Sequence, residues 1–120
     1  MRYDITEHGD YIKAVIGRGA SLEDYVQFYQ ALKLRCAERG FDRALVVVLD
    51  WMPESDHVLF GGLCSIDRAG FLEGFKLALV CATWTLYEAC SEAQRAAMRA
   101  GLQVRAFFEE MEGVRWLTGR

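Results

Sequence analysis

Ala44-Leu45-Val46-Val47-Val48-Leu49 is an unbroken apolar run with three β-branched residues at its centre. A run this short and this branched reads as a strand, and its lack of alternation means burial on both faces. That is the mark of a parallel sheet covered by helices. Phe75-Lys76-Leu77-Ala78-Leu79-Val80-Cys81 has the same character and predicts a second central strand.

Upstream, Tyr3 to Glu7 alternates apolar with polar, His8-Gly9-Asp10 makes a corner, and Tyr11 to Ile16 reads as a second strand. Two short strands across a Gly-Asp corner predict an antiparallel hairpin. Ser21 is placed to cap a helix whose stripe is Leu22, Tyr25, Val26, Tyr29, Leu32 and Cys36, stopping at Gly40. Downstream, Trp51 to Asp56 with Pro53 reads as a loop, and Val58, Leu59, Leu63 and Ile66 space as a short helix ended by Gly70. Leu86, Ala89, Cys90, Ala93, Ala97 and Ala100 form a helical stripe of mostly small residues closed by Gly101. Leu102 to Phe107 alternates like a strand, and Glu109 to Leu117 reads as a last short helix. The expected order is β-β-α-β-α-β-α-β-α, an α/β fold in one domain over residues 1–120. Strands alternating with helices imply right-handed crossovers.

Composition narrows the function by exclusion. The chain has 120 residues, 52% of them apolar and 26% charged, with a single proline, which excludes disorder and low-complexity sequence. A net charge of −3 gives no basic surface for nucleic acid. The start of the chain lacks the basic and apolar regions of an export signal, and no apolar run approaches the ~20 residues of a membrane span. A cytoplasmic protein without stable membrane insertion is expected. The four cysteines, Cys36, Cys64, Cys81 and Cys90, form no C-x-x-C and lie in apolar stretches, so buried free thiols are expected. His8 and His57 have no cysteine at ligand spacing, and neither metal nor cofactor is expected.

Three segments carry a resemblance. Gly74-Phe75-Lys76-Leu77-Ala78-Leu79-Val80, then Arg99-Ala100-Gly101-Leu102-Gln103-Val104-Arg105-Ala106-Phe107, then Val114-Arg115-Trp116-Leu117 resemble the small SpoIIAA-like proteins of the STAS/SEC14-like group. That family shows a strand of the form hydrophobic-Ala-hydrophobic-Val, a helix ending Arg-Gly, a strand ending Val-Arg-Val-Phe and a terminal A-x-x-W-L. The resemblance implies a β-α superhelix with about five strands, mostly parallel behind the N-terminal hairpin, flanked by about four helices. It also implies a non-enzymatic regulatory or protein-interaction module, partnered by another protein or a second copy of itself. The residues concerned are helix caps and core anchors, which report fold and say little about chemistry. Members that work by phosphorylation carry an Asp-Ser pair opening the helix after the central strand. Here the nearest hydroxyl is Ser55, flanked by Glu54 and Asp56, and a phosphate would add ~−1.5 to −2 charge among acids. Phosphorylation is therefore not expected.

Residues 50 to 73 hold five acids and one base, with Asp50, Glu54, Asp56 and His57 the densest cluster. The simplest explanation is a solvated loop that caps the next helix. Trp51, Cys81, Thr83 and Trp84 fall at the carboxyl ends of two neighbouring strands and Phe107 ends the last one. Open α/β sheets place ligands there, so these five residues are the expected walls of a crevice for an apolar, lipid-like small molecule. The alternative is core packing or a dimer contact. No catalytic residue is expected. There is no G-x-S-x-G turn, Gly17 to Ser21 lacks a P-loop lysine, and Cys81 with His57 could act only if the fold joined them.

Overall fold

The computed structural model describes residues 3–17, 22–49, 75–81, 84–99 and 101–119. Strand β1 (Tyr3–His8) and β2 (Tyr11–Ile16) form the hairpin. The turn residue Gly9 has φ 64°, the positive value a type II′ corner requires at its first central position. Helix α1 (Leu22–Arg39) follows, then β3 (Arg43–Val48), β4 (Lys76–Cys81), helix α2 (Trp84–Arg99), β5 (Gln103–Phe107) and helix α3 (Glu110–Thr118). The helix expected around Val58 to Ile66 and the cap expected at Ser21 lie outside the described residues.

The five strands stand in the order β1-β2-β3-β4-β5, antiparallel at the hairpin and parallel thereafter. This is the α/β architecture and sheet expected from the sequence. Each parallel step moves the same way across the sheet, so right-handed crossovers carry α1 and α2 to one face. There Tyr25, Phe28, Tyr29, Leu32 and Cys36 of α1 and Cys90 and Ala97 of α2 meet Ile12, Ala14, Ile16, Val46, Leu77 and Leu79 in one cluster. The alternate residues face the other way, where Leu45, Ala78, Val80 and Phe107 pack with Leu117 of α3. Strands β3 and β4 are thus buried on both faces, which is why their sequences are unbroken apolar runs.

Helix ends are fixed locally. Gly40 and Gly101 have φ 74° and 84°, and the following amides, Phe41 and Leu102, donate to the carbonyls of Cys36 and Ala97 at 2.9 and 3.0 Å. That is the Schellman bond, which needs a left-handed residue and so favours glycine. Helix α3 is held at both ends. Lys13 of β2 meets Glu110 at 3.0 Å in its first turn, while Arg43 Nη1 donates to the Leu117 carbonyl at 2.6 Å. Lys76 lies 5.2 Å from the centre of the Trp116 ring. The two cations at the amino ends of β3 and β4 therefore face the negative end of the α3 dipole.

Gly113 sets how closely α3 approaches the sheet. A Cβ there would stand 2.8 Å from Leu45 Cδ1, 3.4 Å from Ala78 Cβ and 3.5 Å from Phe107 Cδ2. Gly113→Val should cost about 2–3 kcal/mol of unfolding free energy by overpacking this contact. Gly113→Ala should cost less, because one methyl gains up to ~1 kcal/mol of helix propensity. Urea unfolding checks both, and a Val variant as stable as wild type would remove the close approach from the account.

Two core groups make stability depend on alkali. Burial pushes the Tyr25 phenol from 10.0 up to about 12 and the Cys36 thiol from 9.0 up to about 11. Both are neutral when protonated, so the unfolded chain sheds these protons first as pH rises. Their stabilisation is complete below pH 9 and declines as pH climbs through the interval 9–12. Each raised group accounts for up to ~2–3 kcal/mol. Urea midpoints measured against pH should show the decline, and Cys36→Ala should remove the part that begins near pH 9.

Candidate functional site

The carboxyl edge of the sheet is where the sequence places its candidates. Strand β3 runs out at Leu49, whose amide donates to the Ile16 carbonyl at 3.1 Å and so ties the exits of β2 and β3. Strand β4 ends in Cys81 and β5 in Phe107. The register pairs Val48 with Cys81 and Val80 with Phe107.

That register separates two of the expected crevice residues. Val80 and Phe107 lie in the cluster under α3, whereas Cys81, one residue further along β4, lies in the cluster under α1 and α2. Cys81 and Phe107 are therefore on opposite faces of the sheet and do not wall one crevice. Phe107 is packed by Trp116, with ring centres 5.8 Å apart, and by the Arg105 guanidinium 5.5 Å from its ring centre. Trp84 opens α2. Trp51, Thr83, Ser55, Asp50, Glu54, Asp56 and His57 lie outside the described residues.

Cys81 also corrects an expectation. It is bonded to Cys90, nine residues on, and both side chains have no exposed surface. Buried free thiols were expected at both positions, and at Cys36 the structure has one. The bond sets the second turn of α2 against the last residue of β4. In this form Cys81 has no thiolate to act as a nucleophile.

Among the described residues, what the carboxyl edge exposes is apolar and acidic. Leu49 is 62% exposed, Phe108 41% and Met111 60%. Phe108 stacks on Tyr87 of α2, ring centres 4.3 Å apart and planes 9° apart. Glu109 and Glu112 are exposed around the first turn of α3, and Glu88 is exposed beside Tyr87. Leu49 follows Val48 of the α1–α2 cluster and so turns to the α3 side of the sheet. Phe108 follows Phe107 of the α3 cluster and stacks on Tyr87 of α2, so the two leave the edge on opposite sides. Sequence reasoning did not single out Leu49 or Met111, because the exposure of an apolar residue just past a strand or in a first helical turn depends on what packs beside it. Among the described residues no group of three or more His, Cys, Asp and Glu side chains is arranged to hold a metal ion, and no helix is long and apolar enough to cross a membrane.

No family model matches the chain, and no curated protein matches it significantly. Among solved structures the chain is similar to the NMR structure of the protein TM1081, at 16% sequence identity with a TM-score of 0.57, over 97% of this chain and 88% of that one. A likeness at this identity shows the fold and nothing of the chemistry.

Proposed function

We propose that this chain is a non-enzymatic STAS-like module, acting in the cytoplasm, that binds another protein through the carboxyl edge of its sheet. The observation that carries this is the pair of exposed apolar side chains where β5 passes into α3, Phe108 and Met111, with Glu109 and Glu112 exposed between and beside them. Apolar surface with a charged rim is how proteins recognise one another. The sequence continuing from Leu49 adds five acids against one base between residues 50 and 73. Charge complementarity therefore points to a partner with an apolar patch flanked by lysine or arginine.

The carrier reading, an apolar small molecule held near Trp51 and Trp84, has less support. Cys81 and Phe107, two of its five walls, stand on opposite sides of the sheet. A second copy of the chain joined edge to edge is also weakly supported. Two β1 strands paired antiparallel about their centre would set Asp4 against Glu7, acid against acid.

The test is affinity capture from extracts of the source cells, with bound proteins quantified for wild type and for Phe108→Ser with Met111→Ser. A basic partner, released by raised salt and retained at least about tenfold less by the double variant, is expected. Equal retention by both, or no partner and no self-association at high protein concentration, overturns the proposal.

A further inference from the structure

We propose that Cys81 and Cys90 are a thiol–disulfide pair whose oxidation state sets the rigidity of the carboxyl-edge surface; as regulation of that surface, this rests on the reading above. The bond closes a loop from the last residue of β4 to the second turn of α2. Tyr87 lies inside that loop, and its ring is the one stacked on Phe108. Oxidised, the bond anchors the start of α2 to the end of β4 and holds Tyr87 beneath the exposed Phe108. Reduced, the same turns are held only by side-chain packing and hydrogen bonds, so they open more often.

The chemistry needs one partner class, a small-molecule thiol and its disulfide, such as glutathione. One glutathione thiolate attacks a sulfur of the pair, forming a mixed disulfide and releasing the other cysteine as a thiolate that takes up a proton. A second glutathione thiolate then attacks the mixed disulfide, giving glutathione disulfide and the second protein thiol. Two electrons pass from two glutathiones to the pair, and oxidation is the same sequence reversed. Both sulfurs are fully buried, so attack waits on a local opening that exposes Cys81 or Cys90. Cys36 is a built-in control, because it is buried on α1 with a thiol held at about 11 by burial and should resist alkylation in either state of the folded chain.

The experiment uses the full chain equilibrated in glutathione buffers from fully oxidised to fully reduced. Alkylation after quenching and unfolding, with peptide mapping, reads the Cys81–Cys90 bond, and amide hydrogen exchange reads the helices. A linked Cys81–Cys90 peptide is expected in oxidised buffer and two separately alkylated peptides in reduced buffer. Exchange across residues 84–90 should quicken about tenfold or more on reduction, with α1 and α3 unchanged. Cys81→Ala with Cys90→Ala should exchange fast in both buffers. Separately alkylated Cys81 and Cys90 in oxidised buffer overturn the pair, and equal exchange in the two buffers overturns its control of the surface. Partner capture is not among these readouts. If α2 responds to redox buffer while the chain captures nothing, the interaction reading fails and the device stands.

Discussion

Burial of β3 and β4 on both faces is the constraint from which the rest of the molecule follows. Val46 and Leu79 must be covered on one side, Leu45 and Ala78 on the other. Right-handed crossovers supply α1 and α2 to the first face, but they cannot supply the second. Covering Leu45 and Ala78 falls to the chain after β5, and α3 does it by folding back across the sheet. The energetic weight lies here, since each fully buried aliphatic side chain contributes ~1.5–3 kcal/mol against solvent exposure. The surface ion pairs matter far less. Arg39 with Glu7, and Arg95 with Glu92, are exposed and stabilise by little.

The way α3 is seated explains why the two edges of the sheet differ. Its carboxyl end points to the amino edge, where Arg43 and Lys76 are taken up by the Leu117 carbonyl and the Trp116 ring. Those cations help to seat the end of α3. Its amino end points to the carboxyl edge, and acids in the first turn suit the positive end of the dipole. Glu110 finds Lys13, while Glu109 and Glu112 remain exposed. Fold electrostatics thus gives the carboxyl edge its acidic rim, and the strand exits of Leu49 and Phe108 give it apolar side chains.

Most of the fold was legible in the sequence because its signals are local. Branched apolar runs at Ala44 to Leu49 and Leu77 to Cys81, the Gly9-Asp10 corner and the closing glycines Gly40 and Gly101 each act within a few residues of themselves. The site was less legible because its facts depend on register. Alternation along β4 says that Val80 and Cys81 face opposite ways, and alternation along β5 says the same of Ala106 and Phe107. Only the pairing of Val80 with Phe107 tells which of these residues share a face. The crevice drawn from strand ends ignored that parity. The disulfide was hidden for a related reason. A separation of nine residues in sequence does not show that a strand end and a second helical turn meet. Gly113 gave no local signal of close packing either, since a glycine within a helical segment reads as a weakness until the strand beneath it is known.

The lateral edges of the sheet bear on how such a domain meets a partner. A bare outer strand invites pairing with another chain, and this molecule discourages it at both ends. At β5 the Ala106 amide is already taken by Gln94 Oε1 of α2 at 3.0 Å, so the outer hydrogen-bonding row is interrupted mid-strand. At β1 the acids Asp4 and Glu7 sit on a strand of only six residues, and self-pairing would oppose them. With strand addition disfavoured, the proposed interaction falls to side chains, and apolar ones leave the sheet at the carboxyl edge. Phe108 is stacked on Tyr87 of α2, so the rigidity of the start of α2 bears on where that side chain sits. The bond between Cys81 and Cys90 joins the end of β4 to the same stretch of α2 that carries Tyr87. A constraint at the sulfurs is therefore also a constraint on the helical turn against which the Phe108 ring stacks.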